Sequence, residues 1–216
     1  MAITDKKKGV WGLDQTYNKI NQGSIWEYSE VFGLWTWGKG NDGSLGVNNR
    51  TTYSSPVQVP GGNWVGLWNN SAGARDYVYA AQNANELWSW GNGHLGNLGQ
   101  NSQANRSSPT QVPGSWSNVV LGFYGGFGVK TSGELFTWGY NDEGQLGHNN
   151  TTTYSSPKQV GSDTTWSGSD YHISQGGYAA GAIKTDGTLW MWGENQSGEL
   201  GQSNKTKESS PKQVGS

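Results

Sequence analysis

Short apolar, aromatic-rich runs alternate along the chain with longer polar, glycine-rich stretches, and the runs recur. Leu34-Trp35-Thr36-Trp37-Gly38, Leu87-Trp88-Ser89-Trp90-Gly91, Leu135-Phe136-Thr137-Trp138-Gly139 and Leu189-Trp190-Met191-Trp192-Gly193 each predict a short strand. Each is followed by Gly-x-Leu-Gly, carrying Leu45, Leu98, Leu146 and Leu200, and then by Ser-Ser-Pro at Pro56, Pro109, Pro157 and Pro211. The second aromatic stands 19 residues before that proline in all four copies, whereas the Trp itself advances by 53, 48 and 54 residues. Length variation is therefore confined to the interval between the proline and the next strand. A repeat near 50 residues predicts a propeller or solenoid.

Turn chemistry fills in the strands upstream. Ala182-Ile183-Lys184-Thr185 turns at Asp186-Gly187 into the Trp190 strand, and Val129-Lys130 turns at Ser132-Gly133 into the Trp138 strand. Glycine supplies the positive φ of a tight hairpin, and Asn85 takes its place in the second copy. In the first copy Ile25-Trp26-Glu27-Tyr28 is the partner expected for Leu34 to Trp37. The interval ending at Gly193 holds four expected strands: Lys158-Gln159-Val160, a weak one after Trp166, and the Ile183 and Trp190 strands. Counted this way, three whole blades end at Gly91, Gly139 and Gly193. The first hairpin and a last strand, Lys212-Gln213-Val214, remain to form a fourth blade of about three strands, closed by pairing the chain ends. The expected fold is all-β, a propeller-like array of about four blades over residues 24–216. Residues 1–23 form a non-repeat arm, with Leu13, Tyr17 and Ile20 on one face of a helical turn.

Composition sharpens this picture. Glycine, at 35 of 216 residues, recurs at fixed places and acts as punctuation. Only 32% of the chain is hydrophobic, but 13 Trp and 10 Tyr supply a core of few, large groups. A net charge of −2 carries no sequence-wide footprint for nucleic acid. There is no cysteine, so disulfides and thiolate metal sites are excluded. No apolar run reaches the ~20 residues of a membrane helix, and the start of the chain lacks the apolar segment of a signal peptide. Membrane insertion and Sec-type export are accordingly not expected.

The pattern Leu-Trp-x-Trp-Gly, Asn-x-x-Gly-x-Leu-Gly, Ser-x-Pro-x-x-Val over residues 34–216 resembles the regulator of chromosome condensation repeat. That resemblance implies a propeller in which Gly-rich loops make the bends and Trp and Leu fill between blades. Family members look like seven-bladed rings, so four copies imply a smaller ring, or an arc completed by another copy or another protein. The arm, with Trp11-Gly12-Leu13-Asp14-Gln15-Thr16-Tyr17 and Asn21-Gln22-Gly23-Ser24-Ile25-Trp26, is similar to the starts of accessory virion proteins of marine tailed phages. It implies a docking segment using Trp11, Leu13, Asp14, Tyr17 and Ile20.

Catalytic chemistry is sparse. His94, His148 and His172 occupy unlike repeat positions without metal-ligand spacing. Gly38-Lys39-Gly40-Asn41-Asp42-Gly43 lacks the following helix of a phosphate loop. Asp42, Asp142, Glu143 and Glu194 read as solvated loop charges, and Lys6 to Lys8 as a solvated run. Trp35, Trp37, Trp88, Trp90, Trp138, Trp190 and Trp192 recur in register, as does the blade-core set Leu45, Leu98, Leu146 and Leu200. The aromatics out of register, Trp11, Trp68, Tyr124, Tyr140 and Tyr171, are the candidates for a surface role. Asn49 and Tyr53, with Asn150 and Tyr154, lie on equivalent polar loops, joined by Asn204 to Lys207, and form a candidate binding rim. The expected function is a non-enzymatic structural or attachment protein of a tailed-phage virion, located in the particle. It requires no cofactor and no metal. Its expected partners are other virion proteins through the arm, further copies of itself, and a host-surface receptor; nucleic acid is not among them. The alternatives are a regulatory protein-binding propeller, such as a guanine-nucleotide exchange factor, and a carbohydrate-binding or inhibitor propeller.

Overall fold

The computed structural model describes residues 33–68 and 76–215. Within them the chain is built from antiparallel sheets of consecutive strands. The first pairs β1 (Trp35–Gly38) with β2 (Tyr53–Gln58). The second contains β3 (Trp64–Leu67), β4 (Tyr77–Gln82), β5 (Glu86–Gly91) and β6 (Arg106–Val112), in that order across the sheet. The third runs β7 (Trp116–Leu121), β8 (Gly125–Lys130), β9 (Leu135–Gly139), β10 (Tyr154–Gln159). The fourth runs β11 (Ile173–Gln175), β12 (Ala179–Ile183), β13 (Leu189–Gly193), β14 (Glu208–Gln213). The result is three four-stranded blades and a two-stranded one among the described residues.

The blade frame differs by one strand from the expected one. Each Ser-Ser-Pro segment pairs with the Trp strand of its own repeat, so Pro109, Pro157 and Pro211 lie in the last strand of a blade, not in the first of the next. An edge strand tolerates a proline that a central strand would not. As a consequence Lys212 and Gln213 belong to β14 and pair with β13, and among the described residues no C-terminal strand is left over to join the first sheet. The expected Ile25 to Tyr28 strand and the 1–23 arm lie outside the described residues. The turn of the second copy also differs. The left-handed residue is Asn83 (φ 57°), not Asn85, and the Asn83 amide donates to Glu86 Oε2.

Each complete blade is held by an aromatic triad that includes a third Trp, at the start of the segment leading into the blade. Trp64 meets Trp88 and Trp90 edge-on at 6.2 and 5.7 Å. Trp116 meets Phe136 and Trp138 at 5.9 and 5.6 Å, and Trp166 meets Trp190 and Trp192 at 6.2 and 6.3 Å. Trp90, Trp138 and Trp192 are fully buried, and Trp88 and Trp190 are half-buried. Lys130 and Lys184 lie 4.1 Å above the outer rings of Phe136 and Trp190, a cation over an electron-rich face. Trp35 and Trp37 depart from the expected core set, being 53% and 62% exposed. The reason is positional: in the other repeats the second Trp is covered by the Gly-x-Leu-Gly turn of the preceding blade, and no such turn covers Trp37 among the described residues.

The three blade junctions are built alike. The first glycine of Gly-x-Leu-Gly lies against the outer strand of the next blade. A Cβ at Gly43, Gly96 or Gly144 would stand 2.6, 2.5 or 2.7 Å from the Cα of Ser107, Ser155 or Ser209. The second glycine receives the next blade's indole, whose N–H donates to the turn. Trp90 Nε1 reaches Ser44 O at 3.0 Å, Trp138 Nε1 reaches Asn97 O at 3.1 Å, and Trp192 Nε1 reaches Gln145 O at 2.8 Å. Two residues beyond, a left-handed Asn48, Asn101 or Asn149 donates its backbone N–H to Ser107, Ser155 or Ser209 O, 2.7 Å in each case. Leu45, Leu98, Leu146 and Leu200 are buried behind these turns.

Candidate functional site

The candidate rim loops and a tyrosine-bearing set emerge at the end of the blades where the Trp-Gly strands finish. Asn49 Nδ2 donates to Val47 O at 3.2 Å and Tyr53 Oη at 3.1 Å, while its Oδ1 accepts from Thr51 N at 2.9 Å. Asn150 repeats this with His148 O, Tyr154 Oη and Thr152 N at 3.1, 3.2 and 2.9 Å, and Asn204 with Gln202 O and Thr206 N at 3.1 and 2.8 Å. Below, Asn141 and Asn195 donate to the carbonyls of Asn150 and Thr152, and of Asn204 and Thr206, at 2.9–3.0 Å. The polar atoms of Asn49, Tyr53, Asn150 and Tyr154 are thus spent inside their own loops, which gives the loops a fixed shape. Lys158 Nζ donates to Tyr154 Oη at 2.6 Å and holds that phenol below its ordinary pKa.

Next to these loops three tyrosines converge. Tyr124, on the β7–β8 loop, stands 5.4 Å from Tyr140, which follows β9, and 6.1 Å from Tyr178, which precedes β12. Tyr140 and Tyr178 are 6.4 Å apart. The backbone fixes this arrangement, since Tyr140 N donates to Tyr124 O at 3.1 Å and Glu194 N to Tyr178 O at 2.9 Å. The chain approaches itself so closely that only glycine fits after the Trp. A Cβ at Gly139 or Gly193 would stand 2.3 or 2.2 Å from those same carbonyl oxygens.

The cluster lies among carboxylates, Asp142, Glu194 and a Glu143 paired with Lys207 Nζ at 3.2 Å. Tyr140 Oη donates to Asp142 Oδ2 at 2.6 Å, which pushes the phenol pKa up to about 12. Tyr178 is raised too, first by its hydrogen bond with Tyr124 and then by the charges of Tyr124, Glu194 and Glu143. Beside Tyr124 a cleft of about 280 Å³ is lined by Phe123, Asp76, Asn92, His94 and Leu95. Leu95 sits at φ 64°, a conformation rare for a branched residue. Phe123 packs edge-on against Tyr124 at 4.3 Å.

The other expected site residues fall as follows. Trp11, Leu13, Asp14, Tyr17 and Ile20 lie outside the described residues. Trp68 packs partly buried against the core that holds Tyr77, Leu87, Trp116 and Trp138, and Tyr171 is 85% exposed. Asp42 accepts from Asn105 Nδ2 at 3.0 Å across the first junction. His148 bonds Thr137 Oγ1 at 2.9 Å and His172 bonds Ser167 Oγ at 2.7 Å. Among the described residues no three His, Asp or Glu side chains gather as a metal site would require. Tyr124 and Tyr140 were visible as aromatics out of register. Tyr178 is not marked by the repeat pattern, although its offset before the Ala-rich strand matches that of Tyr124 before its own strand.

Blades of consecutive antiparallel strands, joined through repeated turn-to-indole contacts, define a propeller-type repeat protein. Residues 85–126, 132–174 and 186–216, more than half of the chain, match the regulator of chromosome condensation (RCC1) repeat. The chain belongs to this family. No curated protein sequence matches it. Among solved structures, human WBSCR16 is similar at 22% identity and a TM-score of 0.63, over 85% of this chain and 48% of that one. Prp20p of Saccharomyces cerevisiae, described with its binding properties to Gsp1p and histones, is similar at 15% identity and a TM-score of 0.68, over 85% and 46%. Yeast RCC1 (Prp20) bound to Kap60 is similar at 15% identity and 0.67, over 85% and 45%. The chain spans a little under half the length of these structures.

Proposed function

We propose that this chain is a non-catalytic protein-binding module whose contact surface is the Tyr124, Tyr140, Tyr178 cluster, and whose partner presents a basic segment. The observation that carries this is the convergence of three partly exposed phenols with Asp142 and Glu194 at one end of the blades, beside a Glu143 that pairs with Lys207 at 3.2 Å. Tyrosines offer large contact area at low entropic cost, and the carboxylates attract Lys and Arg. That Prp20p is described as binding Gsp1p and histones supports a protein partner, a basic one in the second case. The expected virion attachment rests on the 1–23 arm, outside the described residues, and the comparisons add nothing to it.

The test is titration of the chain with purified core histones and, separately, a Gsp1p-type GTPase, by calorimetry at two salt concentrations. Histone binding that weakens with salt, and at least tenfold in a Tyr140→Ala, Tyr178→Ala double variant, is expected. Equal binding by variant and wild type would overturn the assignment of the surface. Accelerated nucleotide release from the GTPase would replace the module with an exchange factor.

A further inference from the structure

Among the described residues the junction recurs three times, and its two halves are each left over once. The socket half is the last Gly-x-Leu-Gly turn. Among the described residues a Cβ at Gly198 meets nothing within 4 Å, whereas its three counterparts press against a serine of the next blade at 2.5–2.7 Å. Gly201 faces only Val214 Cγ1 at 3.5 Å, where its counterparts hold an indole at 2.6–2.9 Å. Ser203 keeps the left-handed φ of 56° that Asn48, Asn101 and Asn149 use to aim an N–H across the junction, and its N–H reaches no acceptor among the described residues. The knob half lies at the other end: Trp37 is 62% exposed, in register with Trp90, Trp138 and Trp192, and Ser54 stands where Ser107, Ser155 and Ser209 stand.

We propose that a second copy of this chain docks head to tail, with Trp37 of one copy seated on Gly201 and donating its indole N–H to the Glu199 carbonyl of the other. Ser203 N–H then donates to the Ser54 carbonyl, and Gly198 abuts that serine. The interface is the internal junction repeated between molecules, so shape and hydrogen-bond polarity already match. The contact is heterologous, using different surfaces on the two partners, and it ends in a ring where the rotation closes. It does not depend on the tyrosine surface.

Sedimentation velocity and light scattering on the full chain, at roughly 100 µM and on dilution, test this. A dimer or small closed ring is expected. Trp37→Ala should weaken association about thirty-fold or more, as loss of a central indole anchor does. Trp37 is exposed in the single chain, so the variant should fold. Gly198→Ala should weaken it as well, because its Cβ has room in the isolated chain and none against a docked serine. Mixing the two variants should restore one sound junction and give an open heterodimer, an outcome that a symmetric interface would not produce. A monomer at the highest concentration overturns the proposal, and so does an oligomer that both variants leave unchanged, which would mean association through another surface. Filling of the socket by a different protein would show as a monomer that binds that protein in a Gly198-dependent way.

Discussion

At the scale of single residues, electrostatics separates positions that look equivalent in the repeat. The residue after Gly-x-Leu-Gly is Val47, Gln100, His148 and Gln202 in turn. Gln100 Nε2 and Gln202 Nε2 donate across the blade to Thr110 O and Gln213 O at 2.9 and 3.0 Å. His148 fills the same place with a group that can acquire charge. Burial, and then the nearby Lys158 charge, lower its pKa from 6.5 to about 4. Its folded pKa lies below the unfolded one, so between pH 6.5 and 4 the unfolded chain binds more protons. The stability attached to this histidine is therefore complete above about pH 6.5 and is lost as the pH falls toward 4. Partial exposure reduces the effect to on the order of 1 kcal/mol. Urea midpoints at pH 7 and pH 4.5 should converge for His148→Gln, relative to wild type, and an unchanged acid loss would count against this histidine. Tyr140 offers a second check. With Asp142→Asn its titration, followed by ultraviolet absorbance, should move from about 12 toward the ordinary tyrosine value of 10.0.

At the scale of elements, the same glycine has different consequences at different turns. Gly96→Ala puts a Cβ 2.5 Å from Ser155 Cα, in backbone that cannot easily retreat, and at φ 74°. Gly198→Ala carries the strain of a φ of 92° but meets open space. Denaturant unfolding should show Gly96→Ala destabilised by about 2–4 kcal/mol and Gly198→Ala by about 1–2 kcal/mol. Equal losses would mean that the junction contact contributes nothing. The indoles follow the same logic: Trp138→Ala removes a fully buried side chain and should cost about 3–5 kcal/mol, against little for Trp37→Ala in the monomer.

At the scale of the whole molecule, the cores of the described residues are shared between neighbouring blades, so stability is expected to grade along the chain rather than to be uniform. In the dilute, single chain hydrogen exchange should find the β1–β2 amides least protected and those of β5 and β9 most protected, since those strands lie in complete blades flanked on both sides. Uniform protection would indicate a single cooperative unit.

The sequence alone determined the repeat, the strands carrying the Trp-Gly motif, the edge proline, and the burial of Trp90, Trp138, Trp192 and the four turn leucines. All of these follow from spacing and from side-chain size, which are local properties. Tertiary structure decided the rest. Blade frame depends on which neighbour a Ser-Ser-Pro strand pairs with, and the two pairings have the same local pattern. The exposure of Trp35 and Trp37 depends on whether a turn from another blade covers them. The tyrosine cluster joins residues up to 54 positions apart whose loops are brought together by the packing of successive blades. Such facts are set by partners distant in sequence, and a residue's own neighbours in the chain carry no trace of them.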